Sequence, residues 1–214
     1  MIAMHARSVA ELAAELDDEA IHVWSLDYRP AQKRQPLLQT LAVYLGIRTD
    51  EVVLAEGPHG RPQLDPPYDL ALDFNWSHSG DHALIAIARG IAPGIDLERR
   101  RPQPRAMPLA RRFFDRDEAE SLATLPETAR ATAFLELWTA KEALLKAHGH
   151  GISYGLQRLR ILSTPERLRL VRFDGEDTAA WQLQRLAVAP GLIAALAWRG
   201  PPRSIKMGTL AGAG

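Results

Sequence analysis

The stretch ELWTAKEALLKAHGHG, residues 136–151, places charged side chains where an amphipathic helix would carry apolar ones. At about 100° per residue, Lys141 falls in the middle of the apolar face, and Glu142 falls between Trp138 and Leu135. Charges held against apolar walls lose hydration, so they are normally paired, bound to a ligand or used in chemistry. We therefore expect a charged group or a ligand to lie against this helix.

The segment GIDLERR alternates apolar side chains with Asp96 and Glu98. On a strand, residues two apart project from the same face at a spacing of roughly 7 Å. Two carboxylates fixed in this way repel each other unless a cation lies between them, and Mg²⁺ accepts one or two protein carboxylates together with water and substrate phosphate. Glu142 could supply a third oxygen ligand from the helix. The alternative is a solvated outer strand face that binds no metal.

Two kinds of segment suit a phosphate-rich ligand. In FNWSHSG, Ser77 and His78 stand at the end of a strand entering a tight turn, where both can donate to a phosphate oxygen; local turn capping and a surface histidine are the alternative. Arg61 in GPHGRPQL, and Lys33 with Arg34 in RPAQKRQ, are basic residues in loops that are either phosphate contacts or ordinary solvated surface. The two common phosphate-cradling motifs, GxxxxGK[ST] and GxGxxG, are absent from the sequence.

The composition limits the class of protein. The chain has 214 residues, is 46% hydrophobic and 24% charged, and has a formal net charge of +0, as expected of a soluble globular protein. A neutral chain is a poor partner for duplex nucleic acid, and a chain without cysteine has no disulfide and no thiolate site. No apolar stretch approaches the roughly 20 residues that cross a bilayer, and the N-terminus does not resemble a secretory signal, so we expect a cytoplasmic protein.

Strand and helix patterns divide the chain into two halves, each of which pairs helices with an antiparallel hairpin. The segments 82–90 and 191–200 are similar enough to suggest an internal repeat. We expect an α/β (α+β) fold whose halves are residues 1–92 and 93–200, with the metal motifs in the second half. Residues 201–214 are low in complexity and predict a flexible tail. A pseudo-dimer of this kind would place a functional cleft between the halves.

Residues 108–125 and 128–148 have helical periodicity. The segment FFDRDEAESL predicts that a helix begins at Asp115 or Asp117, with Glu118 in its first turn. Acidic side chains at a helix N-terminus satisfy free amides and the helix dipole, which explains most of this local acidity.

Taken together, in order and spacing, these segments resemble a known family. GRPQL, FNWSHSG, GIDLE, FFDRDEAESL and FLELWTAKEALLKAHGHGI are similar to the motifs of 4′-phosphopantetheinyl transferases of the surfactin-synthetase-activating type. The resemblance covers residues from about 56 to 155. Its most specific part is GIDLE followed about 40 residues later by WTAKEALLK.

The resemblance implies a pseudo-dimer of two similar subdomains, each an antiparallel sheet packed against helices, with coenzyme A at their interface. It implies transfer of the phosphopantetheine arm to a serine of an acyl or peptidyl carrier protein, with release of 3′,5′-ADP. The implied Mg²⁺ ligands are Asp96, Glu98 and Glu142. The implied coenzyme A contacts are Lys33, Arg34, Arg61, Ser77, His78, Lys141 and Lys146. The family's arginine-rich first helix is shortened here, which leaves Lys33 and Arg34 as the candidates for the 3′-phosphate.

Catalytic roles follow from the same resemblance. Lys146 is expected to stabilise or protonate the leaving phosphate, and the base for the carrier serine is Glu142, Glu118 or a metal-bound water. Lys141 is expected to orient Glu142 or to reach a phosphate. Two other functions stay open: a Mg²⁺-dependent nucleotide phosphohydrolase, and a non-catalytic coenzyme A-binding protein.

The expected partners are coenzyme A and a carrier protein, with no nucleic acid and no membrane, and the enzyme is expected to act as a monomer. Residues 107–125 are the predicted carrier-docking surface, because Arg111 and Arg112 stand beside Phe113 and Phe114. The alternative is that the two phenylalanines belong to the core.

Overall fold

The computed structural model describes residues 8–210 of the chain. Its α-helices are α1 (Val9–Ala13), α2 (Gln35–Leu45), α3 (Ala106–Phe113), α4 (Arg116–Thr124) and α5 (Glu127–His148). Its strands are β1 (Ala20–Asp27), β2 (Leu54–Glu56), β3 (Pro62–Leu64), β4 (Asp73–Ser79), β5 (His82–Ala88), β6 (Gly94–Arg99), β7 (Leu159–Ser163), β8 (Leu168–Phe173), β9 (Trp181–Leu186), β10 (Leu192–Arg199) and β11 (Ser204–Thr209). Within this described part, no helix is both long enough and apolar enough to span a membrane.

Two larger sheets organise the molecule. The first has the strand order β11-β1-β5-β4 and the second has the order β6-β10-β9, while β2 pairs with β3 and β7 pairs with β8. The pairings are antiparallel except for β1 with β11, which is parallel. Helix α2 packs on the first sheet and α5 packs on the second. This confirms the predicted α+β class with antiparallel sheets packed against helices; the internal duplication of the two halves stays a prediction.

An apolar cluster joins the two sheets. Ile21 and Leu84 reach it from the first sheet, and Ile95, Leu97 and Trp198 reach it from the second. The alternation predicted for GIDLE is confirmed, because Ile95 and Leu97 are buried between the sheets while the acidic residues of β6 project from its other face. Apolar burial therefore fixes which side of β6 carries the carboxylates.

The flexible tail expected for residues 201–214 is wrong over residues 204–209, which form β11. This strand completes the first sheet beside β1. Gly208 makes the pairing possible, because a Cβ at this position would overlap the indole ring of Trp24. The low-complexity composition gave no strand signal, although Gly208 allows β11 to lie close to Trp24 of β1. Residues 211–214 lie outside the described part of the chain.

The helix predicted over residues 108–125 is two helices. The chain breaks between α3 and α4, where Asp115 is the N-cap residue: its side chain accepts from the amide of Asp117 at 2.9 Å, and the Glu118 side chain accepts from the amide of Asp115 at 3.1 Å. This capping box satisfies two free amides reciprocally. The predicted helix start at Asp115 is confirmed, whereas the preceding turns belong to a separate helix.

Strand β6 lies directly against α5 at Gly94. A Cβ built on Gly94 would overlap the carbonyl oxygen of Ala143 and the backbone nitrogen of Ala147. The obstacle is helix backbone, which cannot rotate away as a side chain could. Only glycine therefore allows this separation between β6 and α5, and that separation determines how near the acidic residues of β6 lie to the helix.

We predict that Gly94→Ala separates β6 from α5 and lowers the free energy of unfolding by about 3 kcal/mol, the upper range for an overpacked core. Urea unfolding measures this value. Gly57→Ala is the matched control, because the added methyl there meets only the side chain of Gln63, which is exposed and can move. We expect the control to cost less than about 1 kcal/mol. Equal losses in the two variants would contradict the close-approach interpretation.

Candidate active site

A row of polar side chains on β4 faces β6 across the boundary between the two sheets. Asn75, Ser77 and Ser79 occupy alternate positions and therefore project from one face of the strand. Asn75 Oδ1 accepts from the amide of Ile95 at 3.0 Å, and Ser77 Oγ donates to Asp96 Oδ1 at 2.8 Å. We call Asn75, Ser77 and Ser79 the polar row. It connects the first sheet to the strand that carries the predicted metal ligands.

Ser79 completes the row at the end of β4. Its hydroxyl donates to Glu98 Oε2 at 2.8 Å, and the amide of Arg99 donates to the same hydroxyl oxygen at 3.1 Å. Sequence reasoning missed Asn75 and Ser79, although the period of two in FNWSHSG was the signal that could have found them. Each acidic residue of β6 is thus held by one serine of β4.

Lys146 reaches the same place from α5. Its Nζ donates to Asp96 Oδ1 at 2.7 Å and to the carbonyl oxygen of Ile95 at 3.0 Å, and its side chain keeps 26% of its surface exposed. An ammonium group that is paired with one carboxylate and still reaches solvent can accept a further anionic partner. The structure therefore brings the predicted catalytic lysine beside the predicted metal ligands.

Glu142 lies one turn before Lys146 on α5 and has only 7% of its surface exposed. Its Oε1 is buried without a hydrogen-bond partner among the described residues. Burial, and to a lesser extent the nearby carboxylates Asp96 and Glu98, raise the pKa of Glu142 to about 7 against the opposing effect of Lys146. A buried, unsatisfied acid facing two other acids is costly in isolation, so this cluster is built for a positively charged or proton-donating partner.

The three carboxylates of this cluster are chemically suited to bind Mg²⁺. The site offers hard oxygen ligands from Asp96, Glu98 and Glu142. Because Glu142 Oε1 is buried and has no hydrogen-bond partner among the described residues, it is available to coordinate a cation. Within residues 8–210, no three His, Asp or Glu side chains already stand at metal-binding separation from one another. The donor set fits the metal, and the carboxylates would have to converge around it.

Ser77 and His78 do not lie in a turn. Both lie within β4, since the hairpin turn begins only after Ser79, and neighbouring residues of a strand face opposite sides. Ser77 is bonded to Asp96, whereas the exposed His78 ring packs 4.8 Å from Tyr28 between ring centroids. The expected turn at these residues is wrong, because the strand continues further than the turn residues suggested, and a phosphate contact from either side chain stays a prediction.

Arg61 lies at the site, but most of its guanidinium is already in use. Its side chain is 8% exposed, and Nη2 pairs with Asp73 Oδ1 at 2.8 Å and donates to the carbonyl oxygen of Pro93 at 3.1 Å. Nη1 donates to the carbonyl oxygen of Lys146. Arg61 thus fastens the loop before β3 to α5. A cavity of about 210 Å³ opens beside it, with Trp76 and Lys146 also in its wall.

Lys33 and Arg34 are exposed between a short 3-10 helix (Pro30–Gln32) and α2. Neither side chain makes a hydrogen bond or an ion pair with any residue in the 8–210 range, and Lys33 adopts a φ of 49°. The structure does not bring them into contact with Lys146 or the carboxylates. Their charges are free to meet an anionic ligand, so a phosphate contact from either stays a prediction.

Lys141 has a structural role and corrects the sequence prediction. It is 0% exposed, and its Nζ pairs with Glu118 Oε2 at 2.7 Å. Nζ also donates to the carbonyl oxygens of Leu156, at 2.9 Å, and Leu159. Burial lowers the pKa of Lys141 and the ion pair with Glu118 opposes this change. Its predicted roles in orienting Glu142 or contacting coenzyme A are wrong, because its three donors are used inside the second half.

Glu118 is likewise excluded as the catalytic base. Its Oε1 accepts from the amide of Ile161 at 2.7 Å while Oε2 pairs with Lys141, so the carboxylate joins α4, α5 and β7. Burial raises the pKa of Glu118, and the ion pair with Lys141 counteracts that effect. Lys141 and Glu142 are adjacent on α5 but lie about 100° apart around it. One faces the interior of the second half and the other faces β6.

The two phenylalanines of the predicted docking surface have different surroundings. Phe114 is buried and stacks on Phe134 with 5.2 Å between ring centroids, so it belongs to the core of the second half. Phe113 is half-buried, with the exposed Arg112 guanidinium 4.9 Å from its ring centroid. Arg111 is also exposed. The core alternative is therefore confirmed for Phe114, and the docking role of this segment stays a prediction for the remaining residues.

Comparison with known proteins identifies the family. The sequence profile of the 4′-phosphopantetheinyl transferase superfamily matches residues 92–197, which include β6, α5 and the candidate site on them. A 4′-phosphopantetheinyl transferase from Nostoc sp. is 34% identical over 198 residues, covering 89% of this chain and 81% of that protein. The chain belongs to the 4′-phosphopantetheinyl transferase superfamily.

Two further members of the superfamily are similar to the chain. A putative 4′-phosphopantetheinyl transferase from Synechocystis sp. is 35% identical over 163 residues, covering 72% of this chain and 65% of that protein. A 4′-phosphopantetheinyl transferase from Bacillus pumilus is 45% identical over 84 residues, covering 39% of this chain and 34% of that protein. The family predicted from the sequence motifs is confirmed.

The structural role of Lys141 predicts a large loss of stability in Lys141→Met. Removing one partner of a buried ion pair leaves an uncompensated charge, which costs about 3–5 kcal/mol. Urea unfolding measures the loss, and the exposed Lys33→Met is the control, with a change of less than about 0.5 kcal/mol. Adding Glu118→Gln to Lys141→Met should recover part of the stability. A stable Lys141→Met protein that has lost affinity for coenzyme A would restore the original phosphate assignment.

The raised pKa of Glu142 predicts a pH-dependent stability in metal-free buffer. Between the ordinary value of 4.5 and the folded value of about 7, the folded protein holds a proton that the unfolded chain has lost. Stability therefore falls as the pH rises through this window. At 1.36 kcal/mol per pKa unit, the full contribution is roughly 3 kcal/mol.

Glu142→Gln isolates this contribution because it keeps the shape of the side chain and cannot ionise. The free energy of unfolding of the wild type minus that of Glu142→Gln should decrease between pH 4.5 and pH 7. Subtraction removes the contribution of Glu118, whose pKa is raised in both proteins. A difference that does not change with pH would show that Glu142 is not held in an acidic, buried cluster.

Proposed function

We propose that this chain is a holo-[carrier-protein] synthase that transfers the 4′-phosphopantetheine arm of coenzyme A to a serine of an apo acyl or peptidyl carrier protein. Membership of the superfamily supports the reaction class. The observation that carries the proposal is the convergence of Lys146, Asp96 and the unsatisfied Glu142 where α5 meets β6. Cationic and acidic groups side by side suit a pyrophosphate substrate and the metal that accompanies it.

The reaction exchanges a phosphoanhydride bond of coenzyme A for a phosphoester bond to the carrier serine. The serine oxygen of the carrier forms a bond to the phosphorus that bears the pantetheine arm, and the pyrophosphate bond from that phosphorus to 3′,5′-ADP breaks. The serine proton leaves to a base, and 3′,5′-ADP carries away the electron pair of the broken bond. Catalysis therefore requires a proton acceptor near the serine and positive charge near the leaving phosphate.

The residues of the chain divide these roles. Glu142 is the proposed proton acceptor: one of its carboxylate oxygens would hold the metal, and the other would accept the serine proton directly or through a water molecule. Lys146 is proposed to stabilise the leaving phosphate. Asp96, Glu98 and Glu142 would hold Mg²⁺, which when bound supplies positive charge against the pyrophosphate oxygens. Glu118 takes no part, since it is committed to Lys141.

The remaining coenzyme A contacts are proposed from charge and position. The cavity beside Arg61, Trp76 and Lys146 is the candidate space for part of the nucleotide. Lys33 and Arg34 have free charges and are the proposed contacts of the 3′-phosphate. Arg61 would contribute mainly by holding this wall in place, because its guanidinium already bonds to Asp73 and to backbone carbonyls.

The test of the function is to incubate the protein with coenzyme A, MgCl₂ and a purified apo carrier protein, and to measure the mass of the carrier. We expect covalent addition of phosphopantetheine with one 3′,5′-ADP formed for each carrier modified. EDTA should abolish the addition and excess Mg²⁺ should restore it. Breakdown of coenzyme A without carrier modification would favour the phosphohydrolase, and binding of coenzyme A without either product would favour a non-catalytic protein.

We predict that Lys146→Ala reduces kcat by about 100-fold and weakens coenzyme A binding much less, because negative charge on the leaving phosphate grows toward the transition state. Steady-state kinetics and calorimetric titration of coenzyme A separate the two effects. Lys206→Ala, on β11, is the control and should leave both values unchanged. A Lys146→Ala enzyme that loses affinity for coenzyme A while its kcat is unchanged would place Lys146 in ground-state binding only.

A further inference from the structure

The carboxylate of Glu98 has one hydrogen-bond donor within the described part of the chain, and that donor is the hydroxyl of Ser79. Asp96, by contrast, accepts from both Ser77 and Lys146. Glu98 is half-buried near the end of β6, and its side chain is longer and has more rotamers than that of an aspartate. Without Ser79, the Glu98 carboxylate would be free to turn toward solvent.

The hydroxyl of Ser79 has a fixed direction. The amide of Arg99 donates to Ser79 Oγ at 3.1 Å, which occupies the oxygen as an acceptor. A hydroxyl has one proton to donate, and here it points to Glu98 Oε2, 2.8 Å away. Ser79 pairs with His82 across the β4–β5 hairpin, so its backbone is also fixed. A rigid strand end thus presents one hydrogen-bond donor to one carboxylate.

The bond leaves the second oxygen of Glu98 without a hydrogen bond in the described structure. Glu98 projects from the same face of β6 as the buried Asp96, to which Lys146 of α5 bonds. An oriented carboxylate with one free oxygen beside another buried acid is prepared to bind a cation. We propose that Ser79 is a positioning residue that holds Glu98 ready for the divalent metal; this inference rests on the proposed function only in taking Glu98 as a metal ligand.

The test measures metal binding directly, without the reaction. Mn²⁺ is titrated into the full chain, and the dissociation constant is obtained from the fraction of free Mn²⁺ seen by electron paramagnetic resonance. Ser79→Ala should weaken binding about 10-fold or more, as losses of groups that orient a metal ligand do. Ser79→Thr keeps the hydroxyl and should bind Mn²⁺ within a few-fold of the wild type.

Ser121→Ala is the matched control, because Ser121 is exposed on α4 and its hydroxyl makes no hydrogen bond within residues 8–210. It should bind Mn²⁺ as the wild type does. Urea unfolding of all three variants should give transitions near that of the wild type, since Ser79 is only half-buried. A weakened Ser79→Ala that is also unfolded would be replaced by Ser79→Gly and Ser79→Val, whose side chains carry no donor and which must show the same weakening if the hydroxyl is responsible.

A kinetic measurement separates positioning from a general structural effect. In the carrier-modification assay, Ser79→Ala should require more Mg²⁺ for half-maximal rate but approach the wild-type kcat at saturating Mg²⁺. Equal Mn²⁺ affinity in the wild type and Ser79→Ala would overturn the inference, as would a wild type that binds no Mn²⁺. If Mn²⁺ binding depends on Ser79 while no carrier is modified, the positioning role stands and the proposed reaction fails.

Discussion

The close contact between β6 and α5 at Gly94 is the constraint on which the candidate site depends. A side chain at Gly94 would overlap helix backbone at Ala143 and Ala147, so the strand and the helix meet without any spacer. Residues that follow Gly94 on the strand then lie beside Glu142 and Lys146, which stand on either side of Ala143 on the helix. Lys146 can therefore donate both to Asp96 and to the carbonyl oxygen of Ile95. Because Gly94 has no side chain, the polar side chains of β6 and α5 lie within hydrogen-bond distance of each other.

Bringing three carboxylates to this contact creates an electrostatic cost that the surrounding residues only partly offset. Lys146 and Ser77 both bond to Asp96, and Ser79 bonds to Glu98. These donors come from β4 and α5, so the two halves of the molecule must be assembled before the carboxylates are stabilised. Glu142 receives no such donor at Oε1. The remaining cost is what a bound cation would relieve, which links assembly of the fold to ligand binding.

Residue type and spacing predicted the three carboxylates, because these side chains lie on regular elements whose period is known, whereas Lys146 was predicted from the family resemblance. The polar row was not predicted, because the partner of Ser79 is Glu98, which lies on a strand of the other sheet, and the sequence does not show that β4 and β6 come together. Strand β11 was missed for a related reason. A glycine in a low-complexity segment suggests a mobile chain, and only the structure shows that the ring of Trp24 fills the space beside Gly208. Helical period placed Lys141 on a buried face correctly, but it carries no information on which element covers that face.

Lys141 and Glu142 show what distinguishes a structural buried charge from a functional one. Both are buried on α5, and in both cases burial shifts the pKa toward the neutral form. Burial alone therefore does not separate their roles. Hydrogen bonding does, because Lys141 Nζ has an ion-pair partner and two carbonyl acceptors, whereas Glu142 Oε1 has no partner among the described residues. A buried charged group whose hydrogen bonds are all satisfied within the protein stabilises the fold. A buried charged group with an unsatisfied atom is a candidate to bind a ligand or to take part in catalysis.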